Sequence, residues 1–457
     1  VNYISTRGAG PVSFDEALLS GLAPDGGLYM PEAWLGLPQD WQASKAVPFQ
    51  DFAFMAAKAF AGDCFTDTEL KAAIDRAYGG FDHPEIAPLR ELEPGLFLLE
   101  LFHGPTLAFK DFAMQVLAQL FDLALEKCGQ RRTIVVATSG DTGGAAVEAF
   151  AGRANVDLFV LHPDGRISDA QRRQMTSVDV PNVHNVAVEG TFDDCQRILK
   201  LLFADEAFRN EIALGAVNSI NWARIMAQTS YYLSVMVRLG APAAFSVPTG
   251  NFGDIFAGYV AQKMGAELGP MVIATNSNDI LDRTLVTGTY KVESASPTLS
   301  PAMDIQIASN FERLLFELMD RDADALNAAM AEFAASGELQ IPPAALTAMR
   351  ELFKSRSISD EEILAEIRFA YEAYGVLIDP HTAVGLKAAR EELPAGKGPR
   401  VVLATAHPAK FSETVEKATR KLPEVPARLA ARMEAPERFD RLPPDEGAIM
   451  AYVRARI

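Results

Sequence analysis

Lys110 is the residue in this chain best placed to do covalent chemistry. It lies in Leu101–Phe112, LFHGPTLAFKDF, an apolar and turn-rich stretch. Gly104 and Pro105 mark a turn, and Thr106 is the expected N-cap of a following helix. Apolar residues then recur at helical spacing: Phe109, Phe112, Val116, Leu117, Leu120 and Leu123. Lys110 therefore falls in a helix's first turn, where the dipole disfavours a cation. That field and the neighbours Leu107 and Phe109 lower an amine's pKa. A partly neutral lysine attacks an aldehyde and holds it as a Schiff base. The competing reading is an ordinary lysine paired with Asp111 or a distant carboxylate.

Three further turns carry chemistry. SGDTGG supplies the Ser139 and Thr142 hydroxyls and several backbone donors, a set suited to a carboxylate. Its Asp141 suits an amine or a phenolic oxygen, or caps a helix. TGNFGD places Gly250 and Gly253 around Asn251 and Phe252, ahead of Asp254, where N–H groups at a helix start converge on a phosphate. It matches neither GxxxxGK[ST] nor GxGxxG, so a nucleoside triphosphate is disfavoured. TAHPAKF puts Thr405 at a strand end, where a hydroxyl bonds a pyridine nitrogen without protonating it. Each turn alone reads equally well as plain strand-to-helix geometry.

The elements around these turns alternate strand and helix. Thr133–Thr138, Val156–Leu161, Val183–Val188, Ala243–Val247, Met271–Thr275 and Arg400–Ala404 are short β-branched runs. Helical patterns stand between them, the longest over Asn221–Leu239. This predicts an α/β protein with a doubly wound parallel sheet, and all three turns on one carboxyl edge. Residues 1–95 differ. They read as a helical N-terminal region with helices near 13–22, 49–61 and 66–77, then a linker from Pro84 to Pro94. The expected organisation is this region, an α/β domain over 96–240 with Lys110 and SGDTGG, and an α/β domain over 241–457 with TGNFGD, the last two exchanging segments. Residues 309–393 read as helix-rich, with caps at Ser309 and Ser359, and the tail from Pro423 as a surface wrap.

Bulk properties exclude other classes. A net charge of −18 disfavours nucleic acid, which needs a basic face. The six histidines show no HxxxH or HxH spacing, so no metal is expected. Cys64, Cys128 and Cys195 show no paired spacing and read as buried, reduced residues. No apolar run reaches the ~18 residues that a membrane span needs. The first residues show no signal core. A soluble cytoplasmic protein is expected, monomer or homodimer.

HGPTLAFKDFAMQ resembles the lysine motif of threonine synthases of the longer microbial class. So, in the family's order, do STRG, GLAPDGGLYMP, ATSGDTGGAA, GRIS, NSINWARIMAQ, VPTGNFGD and TAHPAKF. Together they span nearly the whole chain. Related enzymes of this fold usually carry Asn where Asp141 stands and lack the helical N-terminal region. The resemblance implies the two-domain tryptophan synthase β-like fold, fold type II, and pyridoxal 5'-phosphate (PLP) as cofactor. Lys110 would carry the cofactor and act as base. Gly250, Asn251, Phe252, Gly253 and Asp254 would hold its phosphate, with Asp254 ordering the loop, and Thr405 would bond its ring nitrogen. Ser139, Asp141 and Thr142 would lie at the substrate end, and Arg224 and Lys410 are the cations for the substrate's phosphate.

The implied reaction turns O-phospho-L-homoserine and water into L-threonine and phosphate, by γ-elimination and addition of water at Cβ. The alternatives are another fold-type-II PLP lyase acting at Cβ, threonine dehydratase-like, or a non-catalytic homologue.

Overall fold

The computed structural model describes residues 1–42 and 47–457. Two sheets carry the architecture. The larger runs, in spatial order, Phe353–Ser357, Met271–Thr275, Ala244–Pro248, Arg400–Ala404, Leu96–Glu100 and Leu89–Glu93. Every neighbouring pair is parallel except the last. The smaller runs Asp440–Leu442, Val183–Val188, Val156–Pro163, Arg132–Ala137 and Leu214–Gly215, all parallel. The central strands are the β-branched runs read from sequence, because burial on both faces leaves no room for polar alternation.

The two sheets exchange strands. Leu96–Glu100 precedes the lysine helix, yet it lies in the sheet built largely from residues after 241. Asp440–Leu442, from the tail, closes the smaller sheet beside Val183–Val188. The three turns therefore lie at the carboxyl ends of strands from two sheets. SGDTGG follows Arg132–Ala137 in the smaller sheet, while TGNFGD and TAHPAKF follow strands of the larger. The expectation of one shared edge is corrected: the site lies where the two sheets' carboxyl ends face each other.

Other corrections follow from where polar residues sit. Leu89–Glu93 is a strand rather than linker; as an antiparallel edge strand it exposes charged side chains and shows no apolar run. Phe353–Ser357 is likewise an edge strand inside the region read as helical. The tail is more than a wrap, with helices Ala427–Glu434 and Glu446–Arg454 flanking its strand. The N-terminal region adds an antiparallel pair, Tyr3–Ser5 with Tyr29–Pro31. The helix Phe14–Ser20 starts without a side-chain bond from Ser13, and Asn310, not Ser309, precedes the helix Phe311–Leu318. Thr66, Thr191 and Ser359 form full capping boxes. Of the cysteines only Cys195 is buried; Cys64 is half-buried and Cys128 exposed.

One helix is central. Trp222–Leu239 is buried along almost its whole length, its polar residues Arg224, Gln228, Thr229 and Ser230 included. The N-terminal helices cover it and the lysine helix: Phe60 stacks edge-on to Trp222 at 5.3 Å, Phe49 to Phe112 at 5.4 Å. Tyr78 donates its hydroxyl to the Phe112 carbonyl at 3.2 Å. The N-terminal region thus buttresses the start of the two helices that carry Lys110 and Arg224. Among the described residues no helix is long and apolar enough to cross a membrane.

Candidate active site

Lys110 is the first residue of the helix Lys110–Cys128. The turn ahead of it is held by an acid rather than by the expected threonine cap. Asp111 accepts the Thr106 N–H at 2.8 Å and its hydroxyl at 2.7 Å. A Cβ on Gly104 would come within 2.5 Å of Asp111, so only glycine admits this approach. Leu107 is left-handed, with φ of 61°. Strain of this kind persists where surrounding structure over-determines it. That structure is a backbone zipper onto TAHPAKF: Leu101 N–H to Ala404 at 2.9 Å, Phe109 N–H to Thr405 at 2.9 Å, His407 N–H to Leu107 at 3.0 Å. Lys110 and Thr405 are thereby set side by side, and Thr405 is buried.

The Lys110 ammonium faces Asp141 across the sheet junction, 3.7 Å away, with its side chain only 13% exposed. Burial pushes its pKa down, Asp141 opposes this, and Lys410 and Arg224 push it further down. The competing pairing with Asp111 is excluded, since Asp111 is spent on Thr106. Burial works against ionising Asp141, yet Lys410 and Lys110 together hold its carboxyl well below the usual range. Lys410 does not open into the site: its side chain is fully buried, 2.7 Å from Asp141 and 2.8 Å from the Thr106 carbonyl.

Arg224 lies in the first turn of the central helix and is 4% exposed. Among the described residues its Nε and one Nη find no acceptor. Burial lowers its pKa to about 10, so it stays charged. A buried cation without an anion is costly, and the natural remedy is an anionic ligand.

TGNFGD ends in the helix Gly253–Lys263. Phe252 is left-handed at φ of 64°, a conformation in which successive N–H groups can form an anion-binding concavity. Among the described residues the N–H groups of Gly250, Asn251 and Phe252 meet no acceptor. Asp254 is tucked beneath, accepting the hydroxyls of Tyr231 and Tyr232. Burial raises its pKa to about 7, against those two bonds. In SGDTGG, Thr138 accepts the Gly140 and Gly143 N–H groups at 2.9 Å each. Among the described residues the first-turn N–H groups of Asp141 and Thr142 meet no acceptor, which leaves them for a ligand.

Two positioning groups escaped sequence reasoning. Arg313, fully buried, donates to the carbonyls of Tyr29 and Ile220 and to Asn310. Asn310 in turn donates to the Asn251 and Ser219 carbonyls at 3.1 Å each. One guanidinium thus ties the N-terminal region, the Arg224 turn and the TGNFGD loop together. His381 accepts the Ala302 N–H through Nε2 at 3.2 Å and bonds Asp379 through Nδ1. That fixes its tautomer and steadies the Ala302 backbone beside Gly250.

Comparison with known proteins identifies this arrangement. Residues 2–78 match the family model "Threonine synthase N terminus", 82–352 "Pyridoxal-phosphate dependent enzyme", and 382–453 "Threonine synthase, C-terminal". Threonine synthase of Pseudomonas aeruginosa is 47% identical, covering 99% of this chain and 98% of its own. The chain belongs to the threonine synthase family. Among solved structures, PLP-bound threonine synthase from Brucella melitensis superposes with a TM-score of 0.96 at 47% identity, covering 100% of this chain and 99% of its own. Threonine synthase from yeast gives 0.93 at 37%, covering 100% and 98%. The fold is therefore the fold-type-II PLP fold, and the chain is a PLP-dependent enzyme. The residues present fit the threonine synthase cofactor. They offer a buried lysine of lowered basicity, unbonded N–H groups at a helix start, and a buried hydroxyl zipped beside the lysine.

Proposed function

We propose that this chain converts O-phospho-L-homoserine and water into L-threonine and phosphate. The observation that carries the reading is the nearness of Lys110 to Asp254 of TGNFGD and to Arg224, a buried cation with no acceptor for its Nε among the described residues, in a chain 47% identical to a threonine synthase over 99% of its length. Two anion sites are needed, one for each phosphate.

In this reading Lys110 holds the cofactor aldehyde. Gly250 to Asp254 receive its phosphate through backbone N–H groups, with Asp254 ordering the loop from below through Tyr231 and Tyr232. Thr405 bonds the ring nitrogen and leaves it unprotonated. PLP, when bound, supplies an electron sink for charge developing at the substrate's Cα. Lys110, released as a neutral amine, takes the Cα proton and returns it at the end of the cycle. Ser139, Thr142 and the helix start at Asp141 hold the substrate carboxylate, and the Asp141 charge does not repel it because the Lys410 ammonium offsets it. Arg224 holds the phosphate that leaves from Cγ. Lys410, expected at that phosphate, is committed to Asp141 and Thr106 and is reassigned below.

The test is a purified, PLP-loaded preparation given phosphohomoserine, with phosphate and threonine both quantified. Equal release of the two is expected. A 2-oxo acid from L-threonine or L-serine, without threonine synthesis, would transfer the chain to the dehydratase-like alternative.

Gly250 gives a sharper test of the loop. An added Cβ would sit 3.0 Å from the Ala302 carbonyl oxygen, a backbone atom held by His381. Gly250→Val should keep native circular dichroism while PLP affinity falls about tenfold or more, equivalent to about 1.4 kcal/mol. Native affinity measured by equilibrium titration in the folded variant would remove the loop from the site.

A further inference from the structure

Three charged side chains meet at the junction of the sheets, and one has no role in the reaction just described. Lys410 has no exposed side-chain surface, and its ammonium lies 2.7 Å from Asp141 Oδ1. Gln171 Nε2 donates to the same oxygen at 3.0 Å. Lys110 stands farther off, 3.7 Å from Oδ2. A second Lys410 proton goes to the Thr106 carbonyl at 2.8 Å, which Gln174 also reaches at 3.0 Å. Lys410 therefore clamps the lysine turn to the SGDTGG turn, one from each sheet, and holds Asp141 more tightly than Lys110 does.

We propose that Lys410 is a positioning residue that neutralises and fixes Asp141, so that Asp141 does not lock Lys110 as an ammonium. The role rests on Lys110 being the cofactor lysine. Its chemistry is simple. An ammonium has no lone pair and cannot attack an aldehyde or take a proton. A buried, ionised Asp141 with Lys110 as its sole cation would hold the Lys110 proton strongly. With Lys410 bound to Oδ1, the pair is electroneutral and presents Lys110 with one oxygen, much as the oxygen of an asparagine would. Asp141 orients Lys110 while Lys410 carries the balancing charge.

Every charged group that faces Lys110 bears on the titration. Asp141 comes from the helix Asp141–Phe150, Arg224 from the central helix, Asp254 from the helix Gly253–Lys263, and Lys410 from the turn after Arg400–Ala404. On its own helix Asp111 is bonded to Thr106 and feels Lys410 as well. Of these cations, Lys410 alone is bonded to Asp141. Removing it deletes a repelling charge and frees Asp141 for Lys110, and both changes make Lys110 more basic. Replacing Asp141 by Asn deletes the one anion bridging the two lysines and makes Lys110 less basic.

The measurement is the pH profile of Lys110 acylation by acetic anhydride in apoprotein, read by peptide mass spectrometry. It is paired with the rate of PLP uptake followed by absorbance. Lys410→Met should move the acylation midpoint up by about one pH unit and slow PLP uptake near neutrality about tenfold. Asp141→Asn should move the midpoint down. The Asp141→Asn/Lys410→Met double variant should recover PLP uptake relative to Lys410→Met, since no buried carboxylate remains to hold the Lys110 proton. An unmoved midpoint in Lys410→Met overturns the proposal. If that variant does not fold, an unmoved midpoint in Asp141→Asn does the same. Borohydride reduction of the loaded protein separates the two readings: label on another lysine overturns the cofactor assignment and this role with it, whereas label on Lys110 with unmoved midpoints overturns this role alone.

Discussion

Lys110→Ala is expected to leave no measurable threonine synthesis, a loss of at least about a thousandfold. A positioned general base alone is worth about 10² to 10⁴ in rate, and the aldehyde anchor is lost with it. The variant should still fold. Asp141 keeps Lys410 at 2.7 Å and Gln171 at 3.0 Å, so removing Lys110 strands no buried carboxylate. The zipper that holds the turn is made by backbone groups of Leu101, Phe109 and His407, which the substitution leaves in place. The expected result is a native melting temperature, no absorbance band from lysine-bound PLP, and no phosphate release. Turnover within tenfold of wild type would show that another residue carries the cofactor.

Arg224→Met should show effects of opposite sign on catalysis and on stability. With substrate bound, the guanidinium gives charge-assisted hydrogen bonds to a phosphate. Losing one partner of such a buried pair costs about 2–5 kcal/mol. About 3 kcal/mol corresponds to roughly a 150-fold loss in kcat/KM. Without substrate the same side chain is a liability. It is 4% exposed, and among the described residues its Nε and one Nη have no acceptor. The unbranched thioether fills the stem's space and removes the uncompensated charge, so the ligand-free variant should melt higher than the parent. Steady-state assays and calorimetry on the two proteins decide the matter. Unchanged kcat/KM, or a lower melting temperature with normal activity, would make Arg224 structural.

The two outcomes separate Arg224 from Arg313, another buried arginine. Burial lowers the Arg313 pKa to about 9, with Glu312 opposing. Yet its donors are used on Tyr29, Ile220 and Asn310. A satisfied buried arginine holds structure together, and an unsatisfied one waits for a ligand. Nothing in the residues RIMAQ or RLLFE tells these cases apart, because the acceptors come from segments remote in the chain.

What the sequence by itself determined is local. Buried strands read as β-branched runs because both faces are covered, and Val183–Val188 and Met271–Thr275 appear where the pattern placed them. Helix starts at Thr66, Thr191 and Ser359 were legible because a capping box is closed within four residues. Lys110 in a first turn, and glycines between strand and helix at TGNFGD, are short-range facts of the same kind, and the ordered motifs of the family joined them. Tertiary structure decided what depends on distance through space. Leu89–Glu93, Phe353–Ser357 and Asp440–Leu442 are strands because a neighbour offers backbone partners at a sheet edge, where side chains need carry no apolar pattern. The meeting of two sheets, rather than one, brought SGDTGG to face TAHPAKF. That juxtaposition pairs Lys410 with Asp141, since a buried carboxylate and a buried ammonium within reach pair more strongly than either binds across open solvent.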